Sequence, residues 1–137
     1  SYLARCGMPL TPADLCSHNC LSLGQQRGWT LRESPDGPAS NHKVSGSFEC
    51  NDGAVLHEWA LAGKGLAWRS MWEVGEDLKA GRLLSVLDDY AASPVGIYAV
   101  FPQRRHLPLR VRLFIDQLKS AFGDPQYWKL GGLKLGA

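Results

Sequence analysis

Asn51, Asp52 and Gly53 stand where a predicted strand gives way to a predicted helix, a position at which the backbone can bind an anion. The start of a helix leaves free amides and a partial positive charge, and both favour a carboxylate or a similar small anion. A glycine there lets a ligand approach the backbone closely. Either polar side chain could instead serve only as the cap of the helix. The sequence leaves both interpretations open.

Cys16, His18 and Cys20 alternate with single intervening residues, and thiolate and imidazole are groups that zinc binds well. A structural zinc site needs four ligands, however, and the sequence has no second pair at a matching spacing. The three residues also span a predicted junction between a helical turn and a strand. We therefore predict no metal site.

Cys50, Asp52 and His57 are of the types that form a nucleophile, an orienting acid and a base. Cys50 is predicted to lie on the buried face of a strand, where cysteine usually acts as a small hydrophobic residue, and His57 on the polar face of a helix. The sequence has no phosphate-binding loop, dinucleotide fingerprint or paired-carboxylate pattern. It therefore predicts neither a catalytic site nor a cofactor.

Hydrophobic periodicity predicts the elements that position the turn at Asn51–Gly53. Val44, Phe48 and Cys50 alternate with polar residues, which predicts a strand over Lys43–Cys50 with one buried face. A helix is predicted from the turn to Gly63. Its apolar face would consist of Val55, Leu56, Trp59 and Ala60, opposite His57 and Glu58. The elements predicted next are a strand at Leu66–Trp68, a helix at Val74–Ala80 and a strand at Leu83–Val86.

The flanking parts of the chain contain shorter elements and one clear helix. The last helix, up to Phe122, has an apolar stripe at helical spacing and begins near Pro108. The polar segment Asp88–Pro94 is a hinge candidate, because a proline-bounded polar segment suits a crossover. The other predicted elements are helical turns at Tyr2–Arg5 and Thr11–Leu15, strands at Cys20–Leu23, Trp29–Glu33 and Gly96–Phe101, and an exposed hairpin connection at Ser34–His42.

The composition is typical of one globular domain, with 45% hydrophobic and 20% charged residues. A net charge of +2 with scattered basic residues does not favour nucleic-acid binding by this chain itself. No run of 18 apolar residues and no signal-like start is present, so we expect a soluble protein without membrane contact. The four cysteines are interpreted as reduced, which is typical of a cytoplasmic protein.

An ordered set of motifs gives the chain a family resemblance. An Asn-Asp pair precedes a helix that ends in Ala62-Gly63, Gly65-Leu66-Ala67 follows, and an acidic helix leads to Ala80-Gly81-Arg82-Leu83. In order and spacing, Tyr2–Phe122 resembles the effector-binding domain of the LysR-type transcriptional regulators. One departure is Trp68–Trp72, because the family usually has a proline where Ser70 stands. Its two tryptophans, which flank Arg69, would line a cleft or, as we expect, form a buried aromatic wedge between the strand and the second helix.

The resemblance implies an α/β fold of the type II periplasmic-binding-protein architecture, with a mixed sheet, flanking helices and two subdomains of which one is incomplete. Residues 1–87 would form the second regulatory subdomain, incomplete at its start, and residues 88–95 the crossover or hinge. Residues 96–123 would supply the returning strand and helix of the first subdomain, and residues 124–137 a tail.

The resemblance also implies a non-catalytic domain that senses a small-molecule effector, an anionic one if the helix start binds it. The effector would lie between the subdomains, against Asn51, Asp52 and Gly53 and against the strand end Ser22, Leu23 and Gly24. The protein would form a homo-oligomer, a dimer or a tetramer, and would contact DNA only through a helix-turn-helix domain outside this chain. The alternatives are a solute-binding protein of a transport system, which shares the fold, and an enzyme of the same fold.

Overall fold

A computed structural model describes residues 2–26, 28–92, 100 and 108–122. The chain divides into two compact units, residues 1–92 and 93–137. In the second unit, helix α4 spans Leu109–Phe122. It begins directly after Pro108, as predicted. The predicted strand at Gly96–Phe101, apart from Val100, and the predicted tail lie outside the described residues. The predicted subdomain and hinge boundaries stay predictions.

The first unit alternates short helices and strands. The helices are α1 (Tyr2–Cys6), α2 (Gly53–Leu61) and α3 (Met71–Lys79), with 3-10 turns at Pro12–Ser17 and Asp88–Tyr90. The strands are β1 (Cys20–Leu23), β2 (Gly28–Arg32), β3 (Ala39–Lys43), β4 (Glu49–Cys50) and β5 (Leu66–Ala67). No helix among the described residues is both long enough and apolar enough to cross a membrane.

Strand β1 is the centre of a three-stranded parallel sheet in the order β4, β1, β5. Because side chains alternate along a strand, Cys20 and Leu21 point to opposite faces, and both are almost completely buried. Strands β2 and β3 form a separate antiparallel hairpin in which Trp29 pairs with His42. The predicted hairpin connection is therefore shorter than Ser34–His42, because β3 begins at Ala39.

The core covers both faces of β1. On one face, buried side chains form a single cluster. They come from α1, the first 3-10 turn, the hairpin, the segment after β3 and the sheet: Tyr2, Leu15, Cys20, Trp29, Leu31, Val44 and Leu66. Helix α2 packs against β1 and buries Leu56. The predicted apolar face of α2 is wrong at Val55, which is 40% exposed. Trp59 instead packs edge-to-face on Phe48, with ring centroids 5.2 Å apart.

Two predicted strands are wrong. Lys43–Cys50 is not one strand, because the chain leaves β3 after Lys43 and reaches β4 only at Glu49. Between them it bends past the start of β1, where Ser45 O accepts a hydrogen bond from Cys20 N. Leu83–Val86 forms no strand either. The amides of Arg82 and Leu83 both donate to Asp77 O, which folds this segment back on the end of α3.

Asp77 connects α2 with the segment that follows α3. Its two carboxylate oxygens contact His57 Nε2 at 2.8 Å and Arg82 Nε at 2.5 Å. The hydrogen bond from Arg82 holds the pKa of Asp77 below its usual value, with partial burial opposing this effect and His57 adding to it. His57 is therefore a half-buried partner of a carboxylate and not a solvent-facing residue as predicted.

This lowered pKa predicts an acid-dependent loss of stability. A carboxyl group whose pKa is depressed by folding stabilises the protein above its unfolded pKa of about 3.9, and this stabilisation is lost as the pH falls through the folded pKa. We expect Asp77→Asn to lower the free energy of unfolding at neutral pH and to flatten its decline below about pH 4. Urea unfolding across the acid range measures both effects. Asp36→Asn, at an exposed residue of the hairpin turn, is the control, and an equal flattening there would contradict the prediction.

Candidate functional site

The two predicted ligand segments meet at the carboxyl edge of the parallel sheet. In the β1–β4 ladder Ser22 pairs with Glu49 and Leu23 with Cys50. Gly24 N donates to Cys50 O at 2.5 Å, so the chain stays paired to the last residue of β4. Ser22–Gly24 and Asn51–Gly53 are therefore adjacent. In open α/β sheets, ligands bind at this edge of the strands.

Asp52 is the N-cap of α2. Its Oδ1 accepts hydrogen bonds from Ala54 N at 2.7 Å and from Val55 N at 3.4 Å. The cap interpretation is therefore correct for Asp52, whereas Asn51 makes no such cap contact. The amide of Gly53, the first residue of the helix, is not bound by the Asp52 side chain. The helix start thus keeps a backbone donor beside the strand ends.

Arg69 also lies at this edge, although the sequence predicted no ligand-binding role for it. Strand β5 is parallel to β1, and Leu21 pairs with Ala67, so Arg69 leaves the sheet at the same edge. Its guanidinium lies against Gly53, where a Cβ atom would be 2.7 Å from Nη2. The only sequence feature that pointed to Arg69 was its position between two tryptophans. The contact with Gly53 could not be predicted, because it depends on tertiary structure.

The Arg69 side chain is only 10% exposed, yet its hydrogen bonding is incomplete. Nη2 contacts Glu73 Oε1 at 2.8 Å. The Nε atom is buried and has no partner among the described residues. An unpaired buried donor costs about 1–3 kcal/mol, and more when it belongs to a charged group. This arrangement is therefore energetically unfavourable unless another acceptor is bound.

The tryptophans beside Arg69 do not form the predicted buried wedge. Trp72 is 67% exposed and Trp68 is 39% exposed. Trp68 packs on Trp29 of the hairpin, with ring centroids 6.1 Å apart and the ring planes tilted by 30°. Aromatic surface is therefore accessible next to Arg69.

The residues considered for metal binding serve other purposes. His18 is buried, and its Nδ1 lies 3.1 Å from Tyr2 Oη, which also accepts a hydrogen bond from Asn19 N. Burial raises the pKa of the Cys20 thiol to about 11, while Cys16 is exposed. Across residues 2–26, 28–92, 100 and 108–122, no three His, Cys, Asp or Glu side chains converge as metal ligands.

The residues considered for nucleophilic catalysis likewise have separate contacts. The Cys50 thiol donates to the backbone oxygen of Asp52 at 3.2 Å, and the Asp52 carboxylate caps α2. His57 contacts Asp77. The geometry therefore does not arrange these three side chains as a nucleophile, an acid and a base.

A shallow concavity exists elsewhere in the first unit, between residues 8–10 and 85–90. Its lining includes Asp88 and Asp89, which would repel an anion. None of its residues follows a strand of the parallel sheet. The carboxyl edge, with an arginine and a helix start, is the better candidate for a ligand site.

Parallel strand ends beside a helix start are typical of α/β ligand-binding domains. Residues 1–123 match the family described as the LysR substrate binding domain. The chain therefore belongs to the LysR substrate-binding domain family. Its fold is the type II periplasmic-binding-protein-like α/β fold of LysR regulatory domains, which confirms the predicted fold class.

Known proteins with similar sequences and structures are regulators. The HTH-type transcriptional regulator DmlR of Escherichia coli is 32% identical over 127 residues, which is 90% of this chain and 40% of DmlR. The regulatory domain of AphB from Vibrio vulnificus is 29% identical with a TM-score of 0.71, over 88% of this chain and 60% of that one. CrgA of Neisseria meningitidis, a LysR-type transcriptional regulator, is 26% identical with a TM-score of 0.71. The match covers 90% of this chain and 42% of the CrgA chain. The chain thus spans about two fifths of the length of DmlR.

Proposed function

We propose that this chain is the ligand-sensing part of a LysR-type transcriptional regulator and that it binds a small-molecule effector at the carboxyl edge of β1 and β4. The observation that carries the proposal is the adjacency of Ser22–Gly24 and Asn51–Gly53 through the pairing of Leu23 with Cys50. This edge offers the backbone amide of Gly53 at a helix start, and DmlR, which is similar in sequence, is named as a transcriptional regulator.

Sensing requires that the effector bind one arrangement of the regulator more tightly than another. In the intact protein, effector binding would shift the arrangement of two subdomains joined near residues 88–95. A helix-turn-helix domain outside this chain would transmit the shift to DNA. Such a regulator acts in the cytoplasm as a homo-oligomer, and neither a cofactor nor a catalytic step is part of the proposal.

The similarity to transcriptional regulators supports regulation over the alternative of a solute-binding protein in transport. It also supports a binding function over an enzymatic one. Where no reaction occurs, the ligand must be recovered unchanged after binding. Recovery of a chemically altered compound from the intact protein would therefore contradict this proposal.

Substitutions at the start of α2 separate capping from ligand binding. Asn51→Ala should weaken effector binding, because it removes a donor and an acceptor at the edge. Asp52→Asn should leave the melting temperature nearly unchanged, because asparagine caps as well as aspartate. It should also tighten the binding of an anionic effector a few-fold, because a negative charge is removed. Calorimetry on the intact protein, with an effector found by screening small acids and neutral compounds, measures each affinity.

The matched control is Asn41→Ala, at an exposed asparagine of β3. It should bind the effector like the parent protein. Thermal melts of every variant distinguish lost folding from lost binding. If both Asn51→Ala and Asp52→Asn bind the effector like the parent, the turn is only a helix start and does not contact the ligand.

A further inference from the structure

Arg69 has more hydrogen-bond donors than the described residues provide acceptors for. A guanidinium carries five N–H groups in a planar fork. The contacts of Arg69 include one carboxylate oxygen, Glu73 Oε1, at 2.8 Å from Nη2, and its buried Nε has no partner in the described part of the chain. With nine tenths of the side chain buried, water is largely excluded from Nε.

The position of this guanidinium is also electrostatically unfavourable without an anion. It lies against Gly53, the first residue of α2, where the helix dipole places a partial positive charge. Asp52 neutralises the helix start in part, but its Oδ1 is bound by the amides of Ala54 and Val55. Two positive groups therefore face the same edge of the sheet, and an acceptor between them would satisfy both.

We propose that Arg69 binds a carboxylate of the effector at the carboxyl edge, together with the backbone at Gly53. The guanidinium fork matches the two oxygens of a carboxylate, which lysine cannot match in the same way. The neighbouring Trp68, 39% exposed, offers an apolar surface for the rest of a small organic acid. This inference rests on the proposed function of the edge as the effector site and adds the chemical class of the effector and the residue that selects it.

The test compares charged and neutral probes on the intact protein. The probes are acetate, succinate and benzoate, the amide of each acid, and inorganic phosphate. We expect the parent to bind at least one carboxylate more tightly than its amide and more tightly than phosphate. Arg69→Gln should weaken the binding of that carboxylate by about tenfold or more and leave the binding of its amide unchanged. Arg69→Lys should recover only part of the loss, because it restores the charge but not the fork.

Two further variants keep the test valid if Arg69→Gln folds poorly. Glu73→Gln removes the competing carboxylate and should tighten binding of the same probe. Gly53→Ala retains the charge of Arg69, but its Cβ would lie 2.7 Å from Nη2, so it should displace the guanidinium and weaken binding. Arg82→Gln is the control, because Arg82 contacts a carboxylate away from the edge, and it should bind the probe like the parent.

The outcomes distinguish this inference from the proposed function. If the parent prefers an amide or phosphate, or if Arg69→Gln and Glu73→Gln bind the carboxylate like the parent, the role of Arg69 is overturned while effector sensing stands. If no carboxylate probe binds the parent, the inference is overturned. If the screen of small acids and neutral compounds also finds no ligand for the intact protein, the proposed function is overturned as well.

Discussion

Gly65→Ala should destabilise the protein by about 2–3 kcal/mol, because the start of β1 leaves no room for a side chain at this position. A Cβ on Gly65 would lie 2.2 Å from the backbone oxygen of Asn19. That same oxygen accepts the hydrogen bond from Leu66 N at 2.9 Å that joins β5 to β1. The added methyl group must therefore displace backbone and weaken the pairing of the two strands.

The control for this prediction is Gly7→Ala. Gly7 has open space around its Cβ position but a φ of +81°, so alanine should cost only about 1 kcal/mol of conformational strain. Urea unfolding followed by tryptophan fluorescence measures both variants. A Gly65→Ala protein as stable as Gly7→Ala would show that β5 does not pack on β1 as closely as described.

Leu21→Ala should destabilise the protein by about 3 kcal/mol, because it removes a side chain from the centre of the sheet. Leu21 is 1% exposed and lies on the face of β1 opposite Cys20. The lost transfer free energy and the cavity left behind both contribute to the cost.

Leu84→Ala is the matched control, because Leu84 is 62% exposed. It should change the free energy of unfolding by less than about 0.5 kcal/mol. The urea midpoints of the two variants give the comparison. Equal midpoints would place Leu21 outside the core and contradict the central position of β1.

Local sequence patterns predicted some elements accurately, among them two at the site and the distant helix α4. The apolar run Cys20–Leu23 is strand β1 with the predicted bounds, and α2 begins directly after Asp52. Both depend on local signals, namely a short strand bounded by turn formers and a residue that caps a helix. The adjacency of the two ligand segments was expected from the family resemblance alone, and strand pairing produces it.

The wrong predictions have tertiary causes. Alternation over Lys43–Cys50 indicated one strand, but Val44 is buried in the core cluster while Phe48 packs on Trp59 of α2, so the chain bends between them. Gly46 sits at this bend, where a Cβ would lie 2.2 Å from Cys20 O. Periodicity cannot reveal such a close approach between distant parts of the chain.

Arg69 was not predicted as a site residue for a related reason. The sequence shows a basic residue between tryptophans, but the burial of its guanidinium against Gly53 arises only when β5 lies parallel to β1. The parallel register thus brings together three segments that are separated along the chain. This arrangement is the physical basis of the proposed ligand site.

The most direct test of the proposed site is a titration of the nitrogen-labelled intact protein with its effector, followed by the backbone amide signals in NMR spectra. The proposal predicts that the largest shifts on binding occur at Ser22–Gly24, Asn51–Gly53 and Arg69. The amides of Met8, Leu10 and residues 85–90, which line the separate concavity, should shift little. Large shifts at that concavity with unchanged signals at the carboxyl edge of β1 and β4 would contradict the proposed site.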